Sequence, residues 1–246
     1  MATDRSRLAY FDALGVDVYV RRDLPAEPAE RDPAVAERPA TAQPAEAAPG
    51  PAEQEVSWQE LQARVAQCTR CELHATRSQT VFGTGSTRAR WMFIGEAPGA
   101  EEDRQGEPFV GRAGQLLNAM LSAVGLSRQQ VYIANILKCR PPRNRDPRPA
   151  EAASCREYLD RQIELLDPVL IVAVGRIAAQ NLLATDAALG RLRGRVHELG
   201  PAKRPVIVTY HPAYLLRSPS EKRKAWSDLL LAAQEFRRLE AARNLS

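Results

Sequence analysis

The chain has 246 residues, 44% hydrophobic and 26% charged, with four cysteines and a net charge of +4. These values suit a globular domain with an appendage, and no window holds the roughly 18 apolar residues that a membrane span requires. The charge is lopsided: residues 1–55 carry six Lys and Arg against eleven Asp and Glu, whereas residues 56–246 carry 28 against 19, so the basic part predicts a polyanionic partner.

The N-terminus has Asp4 and Asp12 and no apolar stretch of the signal-peptide kind. The expected location is therefore cytoplasmic, where structural disulfides are rare. Residues 1–24 are apolar enough, with Tyr10, Phe11 and Leu14, to suggest a short motif for a protein partner. Residues 25–55 are rich in Pro and Ala and predict a disordered, partly extended linker. The domain is expected over residues 56–246.

Its elements follow from pattern. "VSWQELQARVAQC" has apolar residues at helical spacing, with Ser57 as a plausible N-cap. "WMFIGEAPG" reads as a buried strand entering a turn. "GRAGQLLNAMLSAVGL" reads as a helix stopped by Gly125, and its start suits phosphate contacts. "VYIANILK" is a second strand, and "RPAEAASCREYLDRQIELLDP" a helix opened by Pro149. "VLIVAVG" is a strand covered on both faces, "RIAAQNLL" a helix, "VIVTYHP" a fourth strand, and residues 220–243 a final helix. Alternating strands and helices imply an α/β fold of three αβα layers around a four-stranded parallel sheet. Ligands of such sheets bind past the carboxyl ends of the strands, which here are "GEAPG", "ANILKC" and "YHPAYLL".

Cys68 and Cys71 form a C-x-x-C pair, and Cys139 and Cys155 complete a set of four. Two thiolates two residues apart chelate from one turn. Zinc and a [4Fe–4S] cluster both accept four thiolates, and spacing does not separate them.

The ordered pieces "CTRCELHATRSQTVFG", "GEAPGAEEDRQGEPFVGRAGQLL", "VYIANILKCRPPRNRDP", "IVAVG" and "HPAYLLR", with the helix cysteine in "AASCREYLDRQIELLDP", resemble the family 4 uracil-DNA glycosylases, the iron–sulfur branch of their superfamily. They span residues 68–217. The resemblance implies an enzyme that flips uracil out of DNA, single- or double-stranded, and hydrolyses its N-glycosidic bond. It implies a [4Fe–4S] cluster on Cys68, Cys71, Cys139 and Cys155, and a monomer is expected. Phe109 matches the stacking residue, Asn135 the residue that reads uracil, and His211 the strand-end histidine that stabilises the leaving anion. Relatives outside this branch place an Asp where this chain has Ala97, which leaves Glu96 and Glu102 as the catalytic carboxylates. Glu101 and Asp103 are expected on a solvated edge. Leu215, Leu216 and Arg217 match a loop that inserts into the duplex, and Lys138, Arg140 and Arg143 suit phosphates. The rival readings are a non-catalytic binder of uracil-DNA and a cluster-bearing interaction module.

Overall fold

The computed structural model describes residues 57–243. The expected partner motif in residues 1–24 and the linker in 25–55 lie outside the described residues. Helix α1, Trp58–Ala66, starts where the sequence places it. The Ser57 side chain accepts from the Glu60 amide and the Glu60 carboxylate accepts from the Ser57 amide, a reciprocal capping box.

Among the described residues there is one six-stranded sheet, of order β1-β3-β2-β4-β6-β5. Its strands are β1 (Thr84–Gly85), β2 (Trp91–Gly95), β3 (Tyr132–Asn135), β4 (Leu170–Val174), β5 (Val196–Leu199) and β6 (Arg204–Thr209). The four central strands are parallel, as expected. The edges β1 and β5 are antiparallel and extend the predicted four-stranded sheet to six. Their weak pattern hid them: β1 has only two residues, and β5 is partly exposed throughout.

Side-chain alternation along each strand feeds two separate cores. Met92, Ile94, Tyr132 and Ala134 point to one layer, formed by α4 (Pro149–Leu166) and α5 (Arg176–Leu183). Trp91, Phe93 and Ile133 point to the other, formed by α3 (Arg112–Ala123), α7 (Pro212–Arg217) and α8 (Lys222–Arg243). Period-two alternation with both faces covered explains the unbroken apolar strands. Two short helices, α2 (Ala100–Gln105) and α6 (Leu189–Leu192), complete the fold.

Strand β3 is shorter than the eight-residue run that predicted it. Beyond Asn135 the chain still bonds to its neighbour, with the Ile136 amide donating to the Gly95 carbonyl and the Leu137 amide to that of Glu96. Register pairs Gly95 with Asn135 and Val174 with Thr209, so the carboxyl ends of all four parallel strands reach one edge together. No helix among the described residues is long and apolar enough to cross a membrane.

Candidate active site and thiol cluster

A cavity of about 730 Å³ opens at that edge. Glu96, Ala97, Glu102, Phe109, Asn135 and His211 all line it, which unites every catalytic and substrate-binding residue that the sequence nominated. Tyr210, Tyr214 and Arg217 complete one wall.

Asn135 and Phe109 meet above Gly95. A Cβ on Gly95 would lie 2.5 Å from Asn135 Oδ1 and 2.6 Å from the Phe109 ring, so the site requires glycine there. Asn135 is buried, and its Oδ1 has no hydrogen-bond partner. A buried orphan acceptor costs roughly 1–3 kcal/mol, which a ligand donor would recover.

Phe109 has φ 54°, the left-handed region, which is strained for an aromatic residue. Two residues hold it there. Arg128 donates to the carbonyls of Pro108 and Phe109, and Glu102 Oε1 accepts from the amides of Val110 and Gly111 at 3.0 and 3.2 Å. The Glu102 carboxylate therefore stands at the start of α3, and its charge opposes the phosphate contact expected there. Arg128 had no motif to announce it; only the fold brings it beside the loop.

His211 caps α7. Its Nδ1 accepts from the Ala213 amide at 3.1 Å, so in the neutral ring the proton sits on Nε2. Burial first, and the Arg217 charge second, hold its pKa down to about 4, against a smaller upward pull from Glu102. The ring lies 5.5 Å from that of Phe109. Gly175 makes room for it: at φ +98° a Cβ there would stand 3.0 Å from His211 Cβ.

Glu96 follows β2 directly. Burial, reinforced by Asp146 and opposed by Arg176, raises its pKa to about 7. Arg176 and Asp146 pair at 2.9 Å. A carboxylate with a pKa near neutrality, lining the same cavity as a neutral imidazole donor, can serve general-base chemistry.

Three expectations for individual residues change. Lys138 does not face DNA. It is 1% exposed, and its Nζ donates to the Asn135 carbonyl at 2.9 Å and to Gln162 Oε1 at 2.6 Å. Leu215 is fully buried against the α3–α8 core, because "HPAYLLR" folds as helix α7 and not as a free loop. Leu216, at 39% exposure, and Arg217 remain on the surface. Asp103 is not a solvated edge residue: it is buried and accepts from the Ser78 amide with both oxygens at 3.0 Å. Glu101 is exposed as expected and pairs with Arg104. Arg143 is exposed, and Arg140 is half-buried with Nε donating to Asn144 Oδ1 at 2.7 Å.

Burial of Lys138 has a measurable outcome. Lys138→Met should lower stability by about 1–3 kcal/mol, since it leaves the Asn135 carbonyl and Gln162 without their donor. Chemical unfolding reads this. The slope of DNA affinity against salt concentration should stay as in the parent. A fall of about one in that slope would instead mark a phosphate contact.

Cys68, Cys71, Cys139 and Cys155 line one small cavity with Arg77, Lys138 and Tyr158. Cys139 and Cys155 are buried, and Cys68 and Cys71 are half-buried. Arg77 Nη1 donates to Cys139 Sγ at 3.0 Å; burial raises the pKa of that thiol to about 11, and the Arg77 hydrogen bond and charge pull against the rise. No local pattern announces this arginine's role, since 62 residues separate the pair. Among the described residues, no three His, Cys, Asp or Glu side chains are arranged to hold a single metal ion.

Residues 82–230 match the family model described as "Uracil DNA glycosylase superfamily". The chain is 45% identical over 178 residues to a type-4 uracil-DNA glycosylase of Archaeoglobus fulgidus, covering 70% of this chain and 89% of the relative. It is 46% identical over 161 residues to a type-4 uracil-DNA glycosylase of Thermotoga maritima, covering 65% and 83%.

Proposed function

We propose, for a chain that belongs to the type-4 branch of the uracil-DNA glycosylase superfamily, that the cavity at the strand ends receives a uracil flipped out of DNA and that water hydrolyses its N-glycosidic bond. The observation that carries this reading is the orphaned Asn135 Oδ1 beside the Phe109 ring. Uracil presents N3–H as a donor and O4 as an acceptor on one edge. Asn135 Oδ1 accepts from N3–H and its Nδ2 donates to O4, a pattern that cytosine does not meet. Phe109 stacks on the ring.

At the sugar, water attacks C1′ as the C1′–N1 bond breaks. The bonding pair leaves with uracil, and the negative charge spreads onto O2. The neutral Nε2–H of His211 stabilises that charge without transferring its proton. Glu96 takes the proton from water. Glu102 acts one step back: it holds the loop that aims Phe109. Arg140, Arg143 and Arg217 supply phosphate contacts, and Leu216 the apolar wedge.

The test is incubation with uracil oligonucleotides, single- and double-stranded, followed by alkaline cleavage. Strand breaks at uracil are expected. A non-catalytic binder would shift the oligonucleotide's mobility and leave it uncut.

The donor set fits a metal group. Four thiols around one cavity accept either zinc or a [4Fe–4S] cluster, and the likeness to the type-4 enzymes favours the cluster. Such a cluster would tie the C-x-x-C segment, the chain after β3 and helix α4 together. Cys139 lies four residues past Asn135, so it would staple the basic loop at a fixed distance from the pocket. Cys139→Ala should abolish the visible absorbance and the iron and sulfide content, and lower the unfolding temperature. The choice of base should not change. Retention of iron together with full DNA affinity would overturn the staple.

A further inference from the structure

The cavity offers more room than one pyrimidine needs. Its volume of about 730 Å³ lies within the roughly 300–1,000 Å³ of sites that enclose drug-sized ligands. Phe109 and Asn135 are its buried lining, and its exposed wall is aromatic. Tyr210 and Tyr214 stack with ring centroids 5.0 Å apart and planes 25° from parallel. Both line the cavity together with Arg217.

The pair is built in, not loose. The Arg193 guanidinium sits over the Tyr210 ring at 4.3 Å. Arg193 is itself fixed by the buried Asp228 at 2.7 Å and by the Lys224 carbonyl at 2.6 Å. Tyr210 is thus pinned from the protein interior, and Tyr214 is the accessible member of the stack, 37% exposed. An exposed ring on a rigid support has little freedom left to lose on binding. Rings at the mouth of a basic groove hold unstacked bases without regard to sequence, because every base has a π-face.

We propose that Tyr214, backed by Tyr210, is a stacking subsite for the nucleobase next to the flipped uracil. The proposal rests on the cavity being a uracil-DNA site. When uracil leaves the strand, its neighbour loses a stacking partner. Tyr214 offers a replacement surface at the cavity rim, and Arg217, three residues on, offers charge for the phosphate between the two nucleotides.

Binding of a single-stranded uracil oligonucleotide tests the subsite. Tyr214→Ala should weaken binding about tenfold, the scale of aromatic-to-alanine changes at base-stacking positions, and Tyr214→Phe should restore it. The complementary change is in the DNA: an abasic spacer replaces the base on the 5′ or the 3′ side of uracil. With one of the two spacers the wild-type protein should lose the same factor, and Tyr214→Ala should lose nothing further. Equal gaps between wild type and Tyr214→Ala on both spacers and on the parent oligonucleotide would overturn the subsite, as would failure of Tyr214→Phe to restore binding. A role for Tyr214 in holding a protein partner would leave oligonucleotide binding unchanged in Tyr214→Ala, and that outcome would also overturn the subsite. The two readings fail separately. A wild-type protein that excises no uracil refutes the pocket assignment, whereas one that excises uracil without this coupling refutes the stacking subsite alone.

Discussion

Glu96→Gln should lower single-turnover excision by about 10²–10⁴-fold, the usual contribution of a positioned general base. The wild-type rate should rise with pH through about 7 and level off above it. The sign follows from the chemistry. Only the ionised carboxylate accepts a proton from water, and burial raises its pKa to about 7, so activity is present above that pH and lost below it. The Gln variant should lose this dependence along with the rate. The neighbours give a finer control. Arg176 lowers the Glu96 pKa and Asp146 raises it. Arg176→Gln should move the midpoint to higher pH, and Asp146→Asn should move it to lower pH. A midpoint that ignores both changes would remove Glu96 from the base role, whatever the rate of Glu96→Gln.

His211→Ala should lower the same rate by about 10²–10³-fold, the scale for one preorganised donor to a developing anion. Its pH behaviour should differ from that of Glu96. The ring is held neutral down to about pH 4, and the Ala213 amide fixes the proton on Nε2. The donor is therefore present at every pH where the protein would be assayed, and the loss should be uniform across pH 5–9. His211→Asn, which keeps an N–H donor, should retain more activity than His211→Ala. A loss confined to one limb of the pH profile would mean that His211 exchanges protons instead of donating a hydrogen bond.

The central sheet was legible because its strands obey a simple rule. Runs such as "VLIVAVG" are buried on both faces, and two helix starts are marked in the sequence, by the Ser57 cap and by Pro149 as first residue of α4. The site was legible for a related reason: its residues stand just past strand ends, where Glu96 and Asn135 follow or close β2 and β3. What stayed hidden depends on contacts made across the chain. Lys138 lies among arginines and reads as one of a basic set, yet the turn after β3 sends it inward to Gln162, 24 residues away. Leu215 and Leu216 are adjacent and equally apolar, and only the helical path of α7 buries one and exposes the other. Arg77 and Arg128 act on Cys139 and on the Phe109 loop from sequence distances of 62 and 19 residues. No local pattern encodes such pairings.

The Glu102 carboxylate at the start of α3 has a consequence for the choice of buffer. Free amides at a helix start would form a saturable site for inorganic phosphate or sulfate, and such a site would make those ions competitive inhibitors. Here the amides of Val110 and Gly111 are already satisfied from within the chain. The charge of the Glu102 carboxylate also repels a second anion from the remaining amides of that turn, so phosphate and sulfate should act on this protein as general electrolytes, screening Arg140, Arg143 and Arg217. Their effect on DNA binding should follow ionic strength and match that of chloride at equal strength, without the plateau of an occupied site.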